Sequence, residues 1–334
     1  MNCTRHFAQM VEADCEYAVM EVSSQGIKMH RTDGLYFNYA IFTNISPDHI
    51  GPGEHADFEE YLYYKTRLLN MCGIGLVNKD DEHAPQIIKA ANCELYTYSE
   101  ESKEADFVAS DIRYVSQPDF VGTEFHISGK YDMEVRLGIP GLFNVVNALA
   151  AVSVCSFLGL DQARISHALE NIRVNGRMEI VYTSERCTVL VDYAHNAVSM
   201  ESLLSTLRDY KPKRLVCVFG CGGNRSKDRR YSMGEIGGKM ADLSIITADN
   251  SRYEKVEDII ADIRGSIEKT GGKFIEIPDR REAIRYSILH AQPGDMVAVI
   301  GKGHEDYQEI NGVRHHFLDR EVIEETVKEL GEKA

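Results

Sequence analysis

The sequence predicts an α/β fold with mainly parallel sheets, organised as two domains. Apolar runs rich in β-branched residues alternate with amphipathic segments along the chain, which is the pattern of successive strand–helix units. The length of 334 residues corresponds to two domains of roughly 150 residues each. The composition, 43% hydrophobic and 27% charged, is that of a globular chain and excludes a disordered or collagen-like one.

The first series of elements precedes Asn171. Apolar, β-branched or aromatic runs predict strands at Tyr17–Val22, Tyr39–Thr43, Ile74–Asn78, Phe125–Ser128 and Tyr131–Leu137. Amphipathic spacing predicts helices at Phe58–Met71, Gln86–Ala91 and Asn144–Leu158. The Gly129-Lys130 pair predicts a hairpin turn between the last two strands.

A second α/β series follows, and we expect the domain boundary near Ile172–Gly176, giving domains of residues 1–172 and 173–334. Its predicted strands are Met178–Thr183, Thr188–Asp192, Leu215–Phe219, Leu243–Thr247, Phe274–Ile277 and Met296–Ile300. Its predicted helices are Val198–Asp209, Met233–Met240, Val256–Ser266, Arg281–Ala291 and Arg320–Glu329.

Charge and cysteine content limit the classes of partner. The chain has 37 basic and 52 acidic residues, a net charge of −15 that disfavours a nucleic-acid surface. The eight cysteines form no C-x-x-C pair and predict reduced thiols. We find neither a signal peptide nor a long enough apolar run for a membrane span, so the sequence predicts a cytoplasmic protein without a membrane partner.

Four polar segments in the second series each follow the carboxyl end of a predicted strand. They are Asp192–Asn196, Gly220–Arg230, Asp249–Glu254 and Gly301–Gln308. Ligands bind at this edge of open α/β sheets, so we expect the segments to form one site. The glycines from Gly220 offer backbone N–H groups to an anion, and Arg225, Arg229 and Arg230 add cations suited to carboxylate or phosphate.

The first series has a smaller polar constellation. Glu21 ends one predicted strand and Asp48-His49 follow another, and at adjacent strand ends a carboxylate and an imidazole could share a divalent cation such as Mg²⁺. Lys65 lies on the predicted helix that follows, a position where a lysine is ordinarily solvated.

These segments in this order resemble the Mur ligases, ATP-dependent amide-forming enzymes of peptidoglycan precursor synthesis. The resemblance lies in MEVSSQ, TNISPDHIGPGEH, YLYYK, GLFNVVNALAA, GRME, VDYAHN, FGCGGNR, DNSR and GKGHEDYQ. Within the family, the chain is most similar to members that add the third peptide residue to UDP-N-acetylmuramoyl-L-alanyl-D-glutamate. The resemblance implies an incomplete P-loop-NTPase-like central domain followed by a Rossmann-like C-terminal domain.

The resemblance also implies roles for individual residues. It implies Mg²⁺ binding and catalysis by Glu21, His49 and Lys65, with Lys65 carbamylated into an anion that holds a second Mg²⁺. It implies contacts to the UDP-sugar dipeptide by Ser23 and Arg31, to ATP by Asn147, Arg177, Asp192 and His195, and to the acceptor amino acid by Arg225, Asn250, Arg252 and Glu305.

The acceptor is expected to be meso-diaminopimelate. Two arginines suit its distal carboxylate and would repel the side-chain ammonium of lysine. Ser251 replaces the proline of the motif found in diaminopimelate-adding members, and DHIGPGEH resembles some lysine-adding members, so L-lysine stays an alternative.

The family's P-loop is not found in the sequence, because no stretch fits G-x-x-x-x-G-K-[ST]. We therefore expect weak or no ligase activity from this chain alone. One hypothesis is a separate polypeptide that carries the N-terminal uridine domain and P-loop; another is a coding region that begins upstream of Met1. The alternatives are a P-loop-less paralogue that binds an amino acid or the precursor, and a folylpolyglutamate-type ligase.

Overall fold

The computed structural model describes residues 3–47 and 50–331. The chain divides into two compact units, Met1–Asp106 and Phe107–Ala334. No helix within the described ranges is both long and apolar enough to cross a membrane.

The first unit contains a parallel sheet in which the strand β2 lies between β1 and β3. Its elements are α1 (Cys3–Glu12), α2 (Ser24–Lys28), β1 (Phe37–Phe42), α3 (Phe58–Thr66), a 3-10 turn (Arg67–Asn70), β2 (Cys72–Asn78), α4 (Ala84–Ala90) and β3 (Glu94–Ser99). Ile74 of β2 pairs with Tyr39 on one side and with Glu94 on the other. The buried Tyr98 hydroxyl of β3 donates to the Phe42 carbonyl, 3.0 Å away.

Most predictions for this unit are confirmed, and one is wrong. The strands β1 and β2 and the helices α3 and α4 occur at the predicted places. The predicted strand Tyr17–Val22 is not formed: Val19 is 98% exposed, and none of the described residues pairs with this segment. An apolar run becomes a strand only when a neighbour supplies ladder hydrogen bonds.

The second unit begins with an antiparallel meander and two helices. These are β4 (Phe107–Gln117), β5 (Phe120–Gly129), β6 (Met133–Leu137), α5 (Leu142–Phe157) and α6 (Gln162–Asn171). The predicted hairpin is confirmed, because Ile127 pairs antiparallel with Met133 and Gly129 has a φ of 99°. The predicted helix Asn144–Leu158 is α5, whose buried face includes Val145 and Leu149.

A six-stranded sheet follows in the order β11-β10-β9-β12-β8-β7, with all neighbours parallel except β7 and β8. Its strands are β7 (Glu179–Thr183), β8 (Cys187–Asp192), β9 (Arg214–Phe219), β10 (Leu243–Ile246), β11 (Phe274–Glu276) and β12 (Asp295–Ile300). Its helices are α7 (Ala197–Asp209), α8 (Asp228–Met240), α9 (Val256–Thr270), α10 (Arg280–Leu289) and α11 (Asp319–Glu329). All six strands and five helices confirm the predictions, whereas the hairpin of β13 (Tyr307–Ile310) and β14 (Val313–His316) was not predicted.

Helices cover both faces of this sheet. Alternate residues of β8 point to opposite faces: Leu190 packs in a core with α7, α8 and α9, while Val189 packs in a core with α10 and α11. The strands β8 and β12 are buried along their whole length, which explains why continuous apolar runs predicted them.

A fully buried ion pair joins α10 and α11 beneath the carboxyl edge of the sheet. The Arg280 guanidinium donates to both Asp319 carboxylate oxygens at 2.7 Å, and both side chains have no exposed surface. Arg280 also donates to the carbonyls of Ala248 and Ile300, at the ends of two strands that lead into the polar loops. The pair therefore anchors both loop starts.

Replacing Asp319 with alanine is expected to destabilise the protein by about 3–5 kcal/mol, because it leaves the Arg280 guanidinium buried without its carboxylate. Urea unfolding measures the loss. The control is Glu325→Ala, which removes the exposed partner of Arg281 from the same two helices and is expected to cost much less. Equal losses in the two variants would contradict the structural role of the buried pair.

Candidate functional site

The second unit brings the four predicted polar loops together at the carboxyl edge of the six-stranded sheet. The Gly223 N–H donates to the Asn250 carbonyl at 2.8 Å, and the Asn250 side chain donates to Glu305 at 3.0 Å. The Tyr193 hydroxyl donates to the other Glu305 oxygen at 3.5 Å. Each loop is thus bonded to at least one of the others.

Asp192 is a buried carboxylate that fixes the turn before β7. Its two oxygens accept the backbone N–H groups of Met178 at 2.8 Å and Ala194 at 2.7 Å. Burial raises the pKa of Asp192, while these two hydrogen bonds and the charge of Arg177 act in the opposite direction. The carboxylate therefore holds Arg177, the neighbour of Met178, at the sheet edge.

Tyr193 lies at the centre of the residues expected to contact ATP, and sequence analysis did not single it out. The Arg177 guanidinium is 4.9 Å from the centre of the Tyr193 ring. The His195 ring is 4.8 Å from it and the His304 ring 5.8 Å, by their centroids. The structure therefore brings Arg177, Asp192 and His195 together, and the position of Tyr193 inside the VDYAHN segment was the available signal.

The fourth residue expected to contact ATP, Asn147, lies on α5. Its side chain is exposed and forms no hydrogen bond with the described residues.

Lys302 is a buried ammonium beside Asn250 and Glu305, and sequence analysis did not identify it. It has no exposed surface, and its Nζ lies 3.4 Å from both Asn250 Oδ1 and Glu305 Oε2 and donates to the Tyr307 carbonyl. Asn250 Oδ1 also accepts the Glu309 N–H at 2.9 Å. With Oδ1 facing two donors, the Asn250 amide has one orientation, which points Nδ2 at Glu305.

Arg252 is positioned by its backbone and by its side chain. Its φ is 51°, its N–H donates to the Glu309 carbonyl at 3.0 Å, and its Nη1 donates to the Gly223 carbonyl at 2.8 Å. A Cβ on Gly223 would lie 1.9 Å from the Ser251 carbonyl oxygen, so only glycine fits there. The guanidinium is partly exposed and has donors left for a ligand.

The arginines after the glycines differ in their surroundings, which corrects one expectation. Arg230 was expected to serve an anionic ligand, but it is buried, donates to both Glu254 oxygens at 2.8 Å and donates to Asp262 at 2.9 Å. Its charge is used within the protein, since close carboxylates already satisfy it. Arg225 is exposed and keeps its donors for a ligand.

The first unit brings Glu21 and Lys65 within electrostatic range of each other. Burial lowers the pKa of the Lys65 amine, and the Glu21 charge raises it. The Lys65 Nζ lies 5.5 Å from the centre of the Tyr61 ring. His49, the third expected metal ligand, lies outside the described residues.

The described side chains suit Mg²⁺ only in part. They contain no group of three or more histidine, cysteine or acidic residues that could hold a metal ion. Glu21 supplies carboxylate oxygens, whereas the Lys65 ammonium repels a cation unless carbamylation converts it into an anion with oxygen ligands. The donor set thus fits Mg²⁺ when Lys65 is modified.

The two residues expected to contact the UDP-sugar dipeptide lie at the ends of α2. Ser23 caps the helix by accepting the Gly26 N–H at 3.0 Å, and Arg31 is exposed just beyond the helix. The buried His55, which sequence analysis did not identify, bonds Ser24 at 2.9 Å and so fixes the start of α2.

Comparison with known proteins supports the resemblance carried by the motifs. A model described as "Mur ligase middle domain" matches residues 1–155, and one described as "Mur ligase, glutamate ligase domain" matches residues 176–303. The chain belongs to the Mur ligase family. The fold expected from the motifs, a Mur ligase middle domain followed by a Mur ligase C-terminal domain, is confirmed by these matches.

Two curated relatives of this Mur ligase chain are named UDP-N-acetylmuramoyl-L-alanyl-D-glutamate–2,6-diaminopimelate ligase. The protein of Caldanaerobacter subterraneus subsp. tengcongensis is 38% identical over 329 residues, covering 97% of this chain and 66% of the relative. That of Clostridioides difficile is 38% identical, covering 97% and 67%. A solved structure of an enzyme with the same name matches with a TM-score of 0.74 at 34% identity, covering 94% and 64%. The chain thus spans about two thirds of these relatives.

Replacing Glu21 with glutamine is expected to lower the pKa of Lys65 further, because it removes the negative charge that favours the ammonium form. More neutral amine is then present at any pH below that pKa, and the amine reacts faster. Competitive labelling with acetic anhydride over a pH series, read by mass spectrometry, measures the shift. Lys89, exposed on α4, is the internal control and should label equally in both proteins. A higher Lys65 pKa in the variant would contradict the assignment.

Proposed function

We propose that this Mur ligase chain holds the acceptor-binding residues, and part of the nucleotide-binding residues, of a ligase that adds meso-diaminopimelate to UDP-N-acetylmuramoyl-L-alanyl-D-glutamate. The observation that carries the proposal is the cluster of Asn250, Arg252, Lys302 and Glu305 at one sheet edge. The names of the curated relatives support the same substrates.

In this proposal, groups of opposite charge in the cluster bind the carboxylate and the ammonium of the acceptor. The planar guanidinium groups of Arg252 and Arg225 suit the distal carboxylate of diaminopimelate, and the Glu305 carboxylate suits its ammonium. L-Lysine lacks that carboxylate, so it is the second candidate, favoured by the likeness of DHIGPGEH to lysine-adding members.

The reaction we propose has two steps. The D-glutamate carboxylate takes the γ-phosphoryl group of ATP to form an acyl phosphate and release ADP. The acceptor amine then attacks the acyl carbonyl carbon, expels phosphate and loses a proton to give the amide. Catalysis of this kind rests on positioning and on neutralisation of phosphate charge. Mg²⁺, held by Glu21, His49 and carbamylated Lys65, would supply part of that neutralisation.

The nucleotide contacts are proposed for residues of the second unit. Arg177 offers a cation, Asp192 a carboxylate, and His195 and Asn147 ring and amide groups that suit ribose and adenine. Ser23 and Arg31 are proposed to contact the UDP-sugar dipeptide.

We place the boundary between the ATPase and C-terminal parts at residues 172–173, between the segments that the two family models match.

In this proposal, the backbone N–H groups that bind the nucleotide phosphates come from other residues, because no stretch of the 334 residues fits the P-loop pattern. We propose that a segment with the uridine domain and the P-loop completes the enzyme, either in the same chain or as a separate polypeptide, in the cytoplasm. The competing function is a binding module that takes up the amino acid or the precursor without ATP.

Mixing this chain with a polypeptide that carries a uridine domain and a P-loop is expected to restore ATP- and Mg²⁺-dependent incorporation of radiolabelled diaminopimelate into the UDP-sugar dipeptide. The physical reason is that the added backbone N–H groups hold the transferred phosphate. Each polypeptide alone is the control. The ligase proposal fails if the mixture makes no more product than its parts, and acceptor binding without ATP would then favour the binding module.

Replacing Arg252 with alanine is expected to weaken diaminopimelate binding about tenfold or more, because one charged partner of the distal carboxylate is lost. Isothermal titration calorimetry on the 334-residue chain measures the affinity. Arg285→Ala, which removes a partly exposed arginine paired with Glu329 on α10 and α11, is the matched control and should bind like wild type. Unchanged affinity in the Arg252 variant contradicts the proposed clamp.

A further inference from the structure

We infer that Glu309 weakens the preference for diaminopimelate over lysine by competing, as an internal carboxylate, with the acceptor carboxylate for the Arg252 guanidinium. The inference rests on the proposed function, in which Arg252 binds the distal carboxylate of the acceptor. Glu309 lies just beyond the GKGHEDYQ segment.

The backbone of Glu309 is bonded to the segment that carries Arg252. Its carbonyl accepts the Arg252 N–H at 3.0 Å, and its N–H donates to Asn250 Oδ1 at 2.9 Å. The Asn311 N–H in turn donates to the Arg252 carbonyl at 2.6 Å. Because three hydrogen bonds join the two segments, the backbones of Glu309 and Arg252 are held next to each other.

The side chains form a partly shielded ion pair. Glu309 Oε2 lies 3.6 Å from Arg252 Nε, and the two side chains are only 21% and 22% exposed. Charges at this separation interact more strongly than a freely solvated pair, because water is partly excluded. The distance is too long for a hydrogen bond, so Glu309 offsets the charge of Arg252 without occupying its donors.

Two cations at the proposed acceptor site each lie against a carboxylate. Lys302 lies against Glu305 at 3.4 Å, and Arg252 lies against Glu309. An acceptor with a second carboxylate must share Arg252 with the Glu309 charge, which repels that carboxylate. An acceptor whose side chain ends in an ammonium alone meets attraction from the same charge. Glu309 therefore lowers the preference for diaminopimelate over lysine.

Removal of this charge provides the test. Isothermal titration calorimetry with meso-diaminopimelate and with L-lysine is run on the wild-type chain and on Glu309→Gln, which keeps the shape of the side chain. We expect the ratio of diaminopimelate to lysine affinity to rise about fivefold in the variant. Glu309→Ser is the second charge-removing variant if the glutamine variant does not fold.

Two controls separate charge from structure. Glu309→Asp retains the charge and is expected to keep a ratio close to that of wild type. Glu329→Gln removes one carboxylate that is paired with Arg285, on the exposed surface of α10 and α11, and should leave the ratio unchanged. A loss of packing alone would weaken both acceptors together without changing their ratio.

The remaining outcomes each decide the question. Equal ratios in wild type and Glu309→Gln overturn the role of Glu309 while leaving the acceptor assignment intact. Weaker diaminopimelate binding in Glu309→Gln also overturns it, since Glu309 would then contact the acceptor ammonium. Heat from neither acceptor in any of the proteins overturns the acceptor site as a whole, and the role of Glu309 with it.

Discussion

The Lys302 ammonium has no access to solvent, so the loops around it must supply every charge and hydrogen bond that it needs. Asn250, from the loop after β10, and Glu305 and the Tyr307 carbonyl, from the segment after β12, provide them. Any rearrangement that separated these groups would leave a buried charge uncompensated. The polar edge therefore has one low-energy arrangement before a ligand arrives, which is the preorganisation that binding and catalysis require.

The six-stranded sheet beneath these loops holds the backbone that carries the charged cluster in place. The strands β8 and β12 are buried throughout, and the Arg280–Asp319 pair ties the starts of two polar loops to the helices behind them. Long charged side chains can then be held in place, since the backbone that carries them is fixed by the core and by the buried pair.

The second sheet was predictable because its central strands are continuous apolar runs, and its polar loops were predictable because each follows such a run. The strand β3 was not predicted, since polar residues interrupt its sequence, ELYTYS. The predicted strand at residues 17–22 was wrong because a strand needs neighbouring strands, and the sequence of the segment does not show whether these are present. Individual roles were harder still. Arg230 and Arg225 look alike in sequence, and only burial and nearby carboxylates separate them.

The contact between Gly223 and Ser251 restricts how the proposed acceptor site can open. A methyl group at position 223 would collide with the carbonyl of residue 251, and the Gly223 N–H and carbonyl are bonded to Asn250 and Arg252. The glycine loop and the DNSR segment are thus closely packed and joined by hydrogen bonds. Widening the proposed site here would break several hydrogen bonds at once, so an acceptor would enter by rotation of side chains or by movement of both segments together.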